Sequence, residues 1–146
     1  SQIDSEMDSF EIKRLFASNL PLVMGNEGQL RRALVNIIRN ALEAMTKAPP
    51  PAEGHLLTLQ IDSTRESGHP FVEITVQDTG QGIPSGRLNR IFEPGFTTKV
   101  EKGTVKGLGM GLFASYGIVD AHGGDINIES KTGEGTKVTV KLPALA

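Results

Sequence analysis

Cysteine, long apolar runs and an excess of positive charge are all missing from this chain of 146 residues. Without cysteine it has neither disulfides nor thiolate metal ligands, which fits a reducing, cytoplasmic location. No apolar run approaches the ~20 residues that a membrane-spanning helix needs. The formal net charge of −2 provides no overall basic field, so we expect no nucleic-acid partner.

What is present is ordinary for a globular protein, with 38% hydrophobic and 22% charged residues. These fractions and the length predict a single domain with a real core. The first residues, SQIDSEMDSF, are polar and acidic and have neither the cationic nor the apolar zone of a signal peptide. Such an abrupt start is typical of a piece of a longer chain.

Periodicity predicts helices and several short strands. Apolar residues recur every three or four positions from Glu27 to Met45, which predicts a helix, and GLFASYGIVDAH (111–122) predicts another. Alternation or apolar clustering predicts strands at 10–16, 21–25, 56–62, 71–77, 125–130 and 136–143, and SGRLNRIF (85–92) predicts a short helix. Because most strands have one apolar face, we expect a mixed sheet with helices on one side only.

The first helix carries a polar stripe in addition to its apolar face. Arg32, Asn36, Asn40 and Glu43 fall within roughly 60° of each other, opposite the centre of the apolar arc. Asparagine inside a helix lowers helix stability by roughly several tenths of a kcal/mol relative to alanine. Two of them one turn apart therefore indicate a functional role. Amide oxygens facing a polar ligand suit Mg²⁺. A solvated face without a task is the alternative.

Asp78 stands where a half-buried strand ends, and Gly80 and Gly82 follow it. An ionised carboxylate only accepts hydrogen bonds, so it suits the exocyclic amine of adenine and repels the carbonyl of guanine. The two glycines would let the backbone turn sharply and approach a flat base closely. A plain Asp-Thr-Gly turn at the end of a strand is the alternative.

Three more glycines, Gly107, Gly109 and Gly111, directly precede the second helix. Free backbone N–H groups and the positive end of a helix dipole form an anion site, and glycines remove side chains that would hold phosphates away. Glycines at this spacing also serve ordinary turns. The chain has no GxxxxGK[ST] motif of a P-loop, and no apolar strand precedes these glycines as a dinucleotide-binding turn requires.

A long loop at about 93–110 separates the two glycine clusters. It exceeds the ~12–15 residues beyond which loops are usually functional or disordered. Its composition predicts a lid with an apolar stem and a polar tip suited to phosphates, and a disordered connector is the alternative. The stem residues are Phe92 and Phe96, and the polar residues are Thr97, Thr98, Lys99, Lys102 and Lys106.

In this order, the features resemble the catalytic, ATP-binding domain of sensor histidine kinases, part of the GHKL superfamily that gyrase, MutL and heat-shock chaperones share. NIIRNALEAM resembles the N box, DTGQGIP the G1 box, IFEPGFTTK the F box and GLGMGLF the G2 box. The match extends over about residues 10–143, and NALEA with FEPGFTTK is closest to the nitrogen-regulatory and dicarboxylate-sensing group. It implies an α+β fold of the Bergerat type: a two-layer α/β sandwich with a mixed, mostly antiparallel sheet covered by about three helices on one face.

The resemblance also implies residue roles with ATP and Mg²⁺ as cofactors. Asn40 would hold Mg²⁺ bridging the ATP phosphates, Asn36 would support the phosphates, and Lys99 would offset their charge, which makes these three the catalytic candidates. Asp78 would bind the adenine amine, and Thr136 would reach the base through water. The other nucleotide-binding positions would be Glu43, Ala44, Gly80, Gly82, Ile83, Phe92, Thr97, Thr98, Gly107, Leu108, Gly109, Met110, Gly111 and Leu112.

The residue types favour kinase chemistry. Hydrolytic members of the superfamily place a Glu where Asn36 stands, and an amide is not a general base. Phosphoryl transfer to an imidazole nitrogen needs positioning and charge neutralisation more than a base. Asn36 therefore argues against a hydrolase of the chaperone or topoisomerase type. A nucleotide-binding pseudokinase stays open, because Glu43 replaces a frequent Lys and Gly95 a frequent Phe.

The phosphoacceptor is expected outside this chain. His55, His69 and His122 are not followed by the Glu or Asp that usually follows an acceptor histidine, and we expect each to be solvated or capping. Residues 1–9 would then be a connector from an upstream dimerisation and phosphoacceptor domain, and 10–146 the catalytic domain. The implied partners are that domain and, through it, a response regulator receiver domain. The full-length protein would be a homodimer, and this chain alone a monomer.

Overall fold

The computed structural model describes residues 10–84, 86 and 106–145; between 106 and 111 it describes the backbone alone. The predicted connector at 1–9, the predicted short helix at 85–92 and the part of the predicted lid before residue 106 lie outside this range. The described elements are β1 (Phe10–Phe16), α1 (Glu27–Thr46), β2 (His55–Glu66), β3 (His69–Asp78), α2 (Lys106–Ala121), β4 (Asp125–Lys131) and β5 (Gly135–Pro143).

The five described strands form one mixed sheet in the order β1-β2-β3-β5-β4. β1 runs parallel to β2, and the other neighbouring pairs are antiparallel. Asp78 of β3 lies directly opposite Thr136 of β5, so both side chains point to the same face of the sheet. The predicted α+β fold with a mixed, mostly antiparallel sheet is confirmed, and two of its about three expected helices fall within the described residues.

Alternation along the strands places their apolar side chains on the face that the helices cover. Val76 and Val140 are buried there, in one cluster with Ile37 of α1 and Val119 of α2. α1 begins where its periodicity predicts, because the side-chain oxygen of Asn26 accepts a hydrogen bond from the Gln29 N–H at 2.9 Å and caps the first turn.

The segment at 21–25 is not a strand, contrary to its apolar composition. Pro21 has no N–H to donate to a ladder. The carbonyl of Leu22 instead accepts from the Leu145 N–H at 2.7 Å, while Val23 packs against the core. The segment is therefore irregular: Val23 packs against the core, whereas Leu22 and Met24 are exposed.

The hairpin between β2 and β3 is tighter than the sequence predicts. Both strands extend past the expected limits and leave only Ser67 and Gly68 between them. These two residues have φ angles of 53° and 82°, as in the two-residue turns whose twist matches that of the flanking strands. Most of the residues between the predicted strands at 56–62 and 71–77 are therefore strand.

Two polar contacts join α1 to α2. The Ser115 hydroxyl of α2 donates to the Ala33 carbonyl of α1 at 2.8 Å. At the end of α2, His122 Nδ1 lies 2.7 Å from the Ile118 carbonyl, and its Nε2 accepts from the Asn26 N–H at 3.0 Å. Because a carbonyl only accepts and an amide N–H only donates, His122 is the neutral form protonated on Nδ1. Its expected capping role therefore holds, but it caps two helices at once.

Replacing His122 should destabilise the fold. In His122→Ala the Asn26 N–H and the Ile118 carbonyl lose their partner, which should lower the free energy of unfolding by about 1–3 kcal/mol. Urea denaturation measures this change. The matched control is His69→Ala, since His69 is exposed at the start of β3 and should shift the midpoint little. Equal stability of His122→Ala and the unmutated chain would contradict a stabilising role of the His122 hydrogen bonds to Asn26 and Ile118.

Candidate functional site

Three of the predicted site residues, Asp78, Thr136 and Asn40, lie on elements that contact one another, β3, β5 and α1. Asp78 closes β3 beside Thr136, the second residue of β5, and α1 packs over β3. Asn40 is among the residues that α1 buries. Three elements that are far apart in the chain therefore each contribute a buried polar side chain at the helix-covered face of the sheet.

Asp78 is a buried carboxylate, with 6% of its surface exposed. Its Oδ1 accepts from the Gly80 N–H at 2.8 Å. Burial raises the pKa of Asp78 above its ordinary value of 3.8, while backbone hydrogen bonds from Gly80 and Thr136 and the nearby His55 partly lower it. In its ionised form this side chain is a desolvated, acceptor-only group.

The glycines after Asp78 serve protein packing. A Cβ on Gly80 would lie 2.6 Å from the carbonyl carbon of Ala44, so only glycine lets this turn touch the backbone of α1. Gly82 has a φ of 76°, and a Cβ there would overlap the Lys131 carbonyl in the β4–β5 hairpin. The expected sharp turn is present. However, the close approach that both glycines permit is to α1 and to the hairpin.

The polar stripe of α1 is not a solvated face. Asn36 and Glu43 are half-buried and Asn40 is buried, with Arg32 exposed at the far end. The expectation that the stripe lies opposite the core is therefore wrong for Asn40, which borders Ala33 on the helix wheel and is covered by its neighbours. The side-chain Nδ2 of Asn40 is buried and has no hydrogen-bond partner, alone in this respect among the described side chains.

The side-chain amide of Asn40 fits a magnesium-bound phosphate group. An unpartnered buried amide N–H costs free energy unless an acceptor such as a phosphate oxygen reaches it. The oxygen of the same amide is of the type that Mg²⁺ takes as a ligand. Within the described residues no cluster of three or more His, Asp or Glu side chains could hold a metal by itself. A metal here would thus depend on ligand oxygens as well.

Sequence reasoning missed the role of His55. It is not a loop residue but begins β2, buried. Its Nε2 donates to the Ala48 carbonyl at 3.0 Å, and its Nδ1 lies 2.9 Å from the Thr79 hydroxyl. That hydroxyl also accepts from the Leu56 N–H at 3.1 Å. His55 therefore joins the loop after α1 to the turn after Asp78, and its place directly before an apolar strand was the only signal in the sequence.

Sequence reasoning also missed Ser130, near the end of β4. Its hydroxyl accepts from the Ile83 N–H at 2.7 Å and donates to the Gly135 carbonyl at 3.0 Å. The hydroxyl of Thr136 lies 2.7 Å away from it. Ser130 thus connects the turn after Asp78 to the strand that carries Thr136. Ile83 itself is buried in the core cluster.

The glycine-rich segment lies within a helix. α2 begins at Lys106 rather than at Gly111, so Gly107, Leu108, Gly109, Met110 and Gly111 form its first turns instead of the end of a loop. Sequence reasoning placed the start later because glycine weakens helices. Leu112, also predicted to contact nucleotide, is buried in the core cluster. Phe92, Thr97, Thr98 and Lys99 lie outside the described residues.

Comparison with known proteins is consistent with this geometry. Residues 25–146 match the family model described as histidine kinase-, DNA gyrase B- and HSP90-like ATPase. Sporulation kinase A of Bacillus subtilis is 32% identical over 142 residues, 97% of this chain and 21% of that protein. The sensor histidine kinase ZraS of Salmonella typhimurium is 34% identical over 146 residues, 99% of this chain and 28% of that protein. The finer resemblance to the nitrogen-regulatory group stays a prediction.

Among solved structures, full-length ShkA in complex with AMPPNP matches with a TM-score of 0.70 and 26% identity. The match covers 96% of this chain and 27% of that one. The chain therefore spans less than a third of the length of each of these three proteins. Neither described helix has the length and apolar content of a membrane span.

The raised pKa of Asp78 predicts a pH-dependent stability. Between 3.8 and the higher pKa in the fold, the native state holds more protons than the unfolded chain, so the free energy of unfolding falls as pH rises through this window. Asp78→Asn cannot ionise. The stability of this variant relative to the unmutated chain should therefore increase from about pH 4 towards neutral pH, measured by urea denaturation.

The matched control is Asp120→Asn, because Asp120 is exposed on α2. Its stability difference from the unmutated chain should vary much less with pH. If the difference for Asp78→Asn were also constant from acid to neutral pH, burial would not be perturbing this carboxylate.

Proposed function

The chain belongs to the family of histidine kinase-, DNA gyrase B- and HSP90-like ATPases, and we propose that it is the ATP-binding, catalytic domain of a two-component sensor histidine kinase. One observation carries the proposal: the turn after β3 and α1 are in contact, and the two elements carry a desolvated carboxylate, Asp78, and a buried amide N–H without a partner, on Asn40. Gly80, two residues after Asp78, touches Ala44, one helical turn after Asn40. Groups of this kind cost free energy unless a ligand uses them.

Adenine fits the Asp78 end of the site. The carboxylate already accepts from the Gly80 N–H at 2.8 Å, and its remaining capacity is for further donors only. The exocyclic amine of adenine is such a donor, and the 6-oxo group of guanine is not. Burial strengthens this discrimination, because an unpaired acceptor is costly away from water.

The triphosphate would extend from the base along the polar face of α1. Asn40 would hold Mg²⁺ and Asn36 would support the phosphates. When bound, Mg²⁺ would offset the charge that develops on the transferred phosphoryl group. The backbone at the start of α2 with Gly107, Gly109 and Gly111, and Lys99 of the predicted lid, would complete the phosphate site.

The reaction proposed is transfer of the γ-phosphoryl group of ATP to an imidazole nitrogen, which leaves ADP. Asn36 offers no general base for water. Within the chain, His55 and His122 use both ring nitrogens in the fold, so neither is a free acceptor. The acceptor would lie on the protein's own dimerisation domain, from which a response regulator receives the phosphoryl group, in a cytoplasmic homodimer.

Replacing Asp78 should selectively weaken the binding of adenine nucleotides. Asp78→Asn exchanges a charge-assisted acceptor for a neutral amide, which should raise the Kd for ADP about 10- to 100-fold, since such bonds are worth roughly 1.5–3 kcal/mol. Calorimetry with ADP and Mg²⁺ measures the change, with Asp120→Asn as the exposed control. An unaltered Kd for ADP in Asp78→Asn would remove Asp78 from base recognition.

Replacing Asn40 should abolish phosphoryl transfer. Asn40→Ala removes the amide that would position the metal, so radiolabel from γ-labelled ATP should no longer reach the separately supplied dimerisation domain. The exposed Asn127→Ala on β4 serves as the control and should transfer normally. Full transfer by Asn40→Ala would contradict the metal assignment. Nucleotide binding without any transfer by the unmutated chain would instead favour a nucleotide-binding pseudokinase.

A further inference from the structure

The Ser130 hydroxyl uses all of its hydrogen-bonding capacity, and this determines which residue donates in its hydrogen bond with Thr136. Its hydroxyl has one hydrogen, which it donates to the Gly135 carbonyl at 3.0 Å, because a carbonyl can only accept. The Ile83 N–H occupies one of its two lone pairs at 2.7 Å. The remaining contact, 2.7 Å to the Thr136 hydroxyl, therefore uses the second lone pair, and Thr136 must be the donor.

The orientation of Thr136 leaves it with acceptor capacity only. Its single hydroxyl hydrogen points at Ser130, so the free lone pairs of its oxygen are what it offers to any other group. Thr136 lies opposite Asp78 in the β3–β5 pair, on the same face and at a Cβ separation of roughly 4.5–5.5 Å that is usual for such pairs. Both residues are buried.

Asp78 and Thr136 therefore form an acceptor-only edge. The Asp78 carboxylate already accepts from the Gly80 N–H at 2.8 Å, so both side chains of this pair offer only acceptors to a ligand. A bound base would have to present hydrogens here, directly or through a water that bridges to Thr136. A 6-oxo group would meet two acceptors at once, without solvent to relieve them.

We propose that Ser130 is a specificity-determining residue, which acts on the bound base through Thr136. By taking the hydroxyl hydrogen of Thr136, it prevents that side chain from donating to a 6-oxo purine and so restricts the site to 6-amino purines. This inference rests on the proposed function, since it requires a nucleotide at Asp78. Ser130 does not touch the base, so it is a positioning residue rather than a catalytic one.

The experiment compares ADP with inosine diphosphate, in which a 6-oxo group replaces the amine. In Ser130→Ala the Thr136 hydroxyl is released and can rotate to donate. The ratio of the Kd for inosine diphosphate to the Kd for ADP should fall roughly five- to tenfold, as expected for one hydrogen bond gained or lost. If Ser130 had only a structural role, Ser130→Ala would weaken the binding of both nucleotides by the same factor. An unchanged ratio of the two Kd values would overturn the inference.

Two further variants isolate the hydroxyl. Ser130→Thr keeps a hydroxyl at this position and should retain the discrimination of the unmutated chain. Thr136→Val added to Ser130→Ala removes the released donor and should raise the ratio again. A ratio that stays low in the double variant would mean that the Thr136 hydroxyl is not the group responsible, which also overturns the inference.

A measurement on the unmutated chain covers the case in which Ser130→Ala does not fold. The hydroxyl proton of Thr136 should exchange slowly with water and show a nuclear Overhauser effect to the Ser130 β protons. An effect to the Asp78 β protons instead would show the opposite orientation and overturn the inference. Failure of the unmutated chain to bind ADP would refute the proposed function itself, whereas ADP binding with an unchanged ratio refutes only the role of Ser130.

Discussion

The burial of one carboxylate, Asp78, is the constraint on which the rest of the site depends. Taking this group out of water raises its pKa and opposes its ionisation, so the surrounding backbone must supply donors. The turn after β3 brings the Gly80 N–H to it, and the β3–β5 register brings Thr136. A position that destabilises the charged form in the empty fold is the position that gains most from a donor on a ligand.

The close contacts around this carboxylate explain the glycines. Gly80 presses against the backbone of α1, and Gly82 against the hairpin that carries Ser130. The Gly80 contact holds the turn after Asp78 against α1, the helix that carries Asn40. The contacts of Ser115 and His122 then hold α2 against α1.

Much of this arrangement was predictable from residue patterns. The periodicity of α1 and the alternation in β3 and β5 correspond to observed elements, and Asp78 stands at the end of its strand, as predicted. The errors share one cause. Composition predicted a strand at 21–25, and a helical wheel placed Asn40 opposite the core, because neither states which other elements cover a segment.

The sequence by itself determined where helices and strands form and which residue types stand at their ends, because spacing and capping act over a few neighbouring residues. Only the tertiary structure decided that Asn40 is buried with an unpartnered N–H, that Gly80 and Gly82 meet α1 and the hairpin, and that His55 and Ser130 contact the turn after Asp78. These facts depend on contacts between residues such as Ile83 and Ser130, 47 positions apart. No local pattern encodes which distant hydroxyl or backbone group will satisfy a buried polar atom.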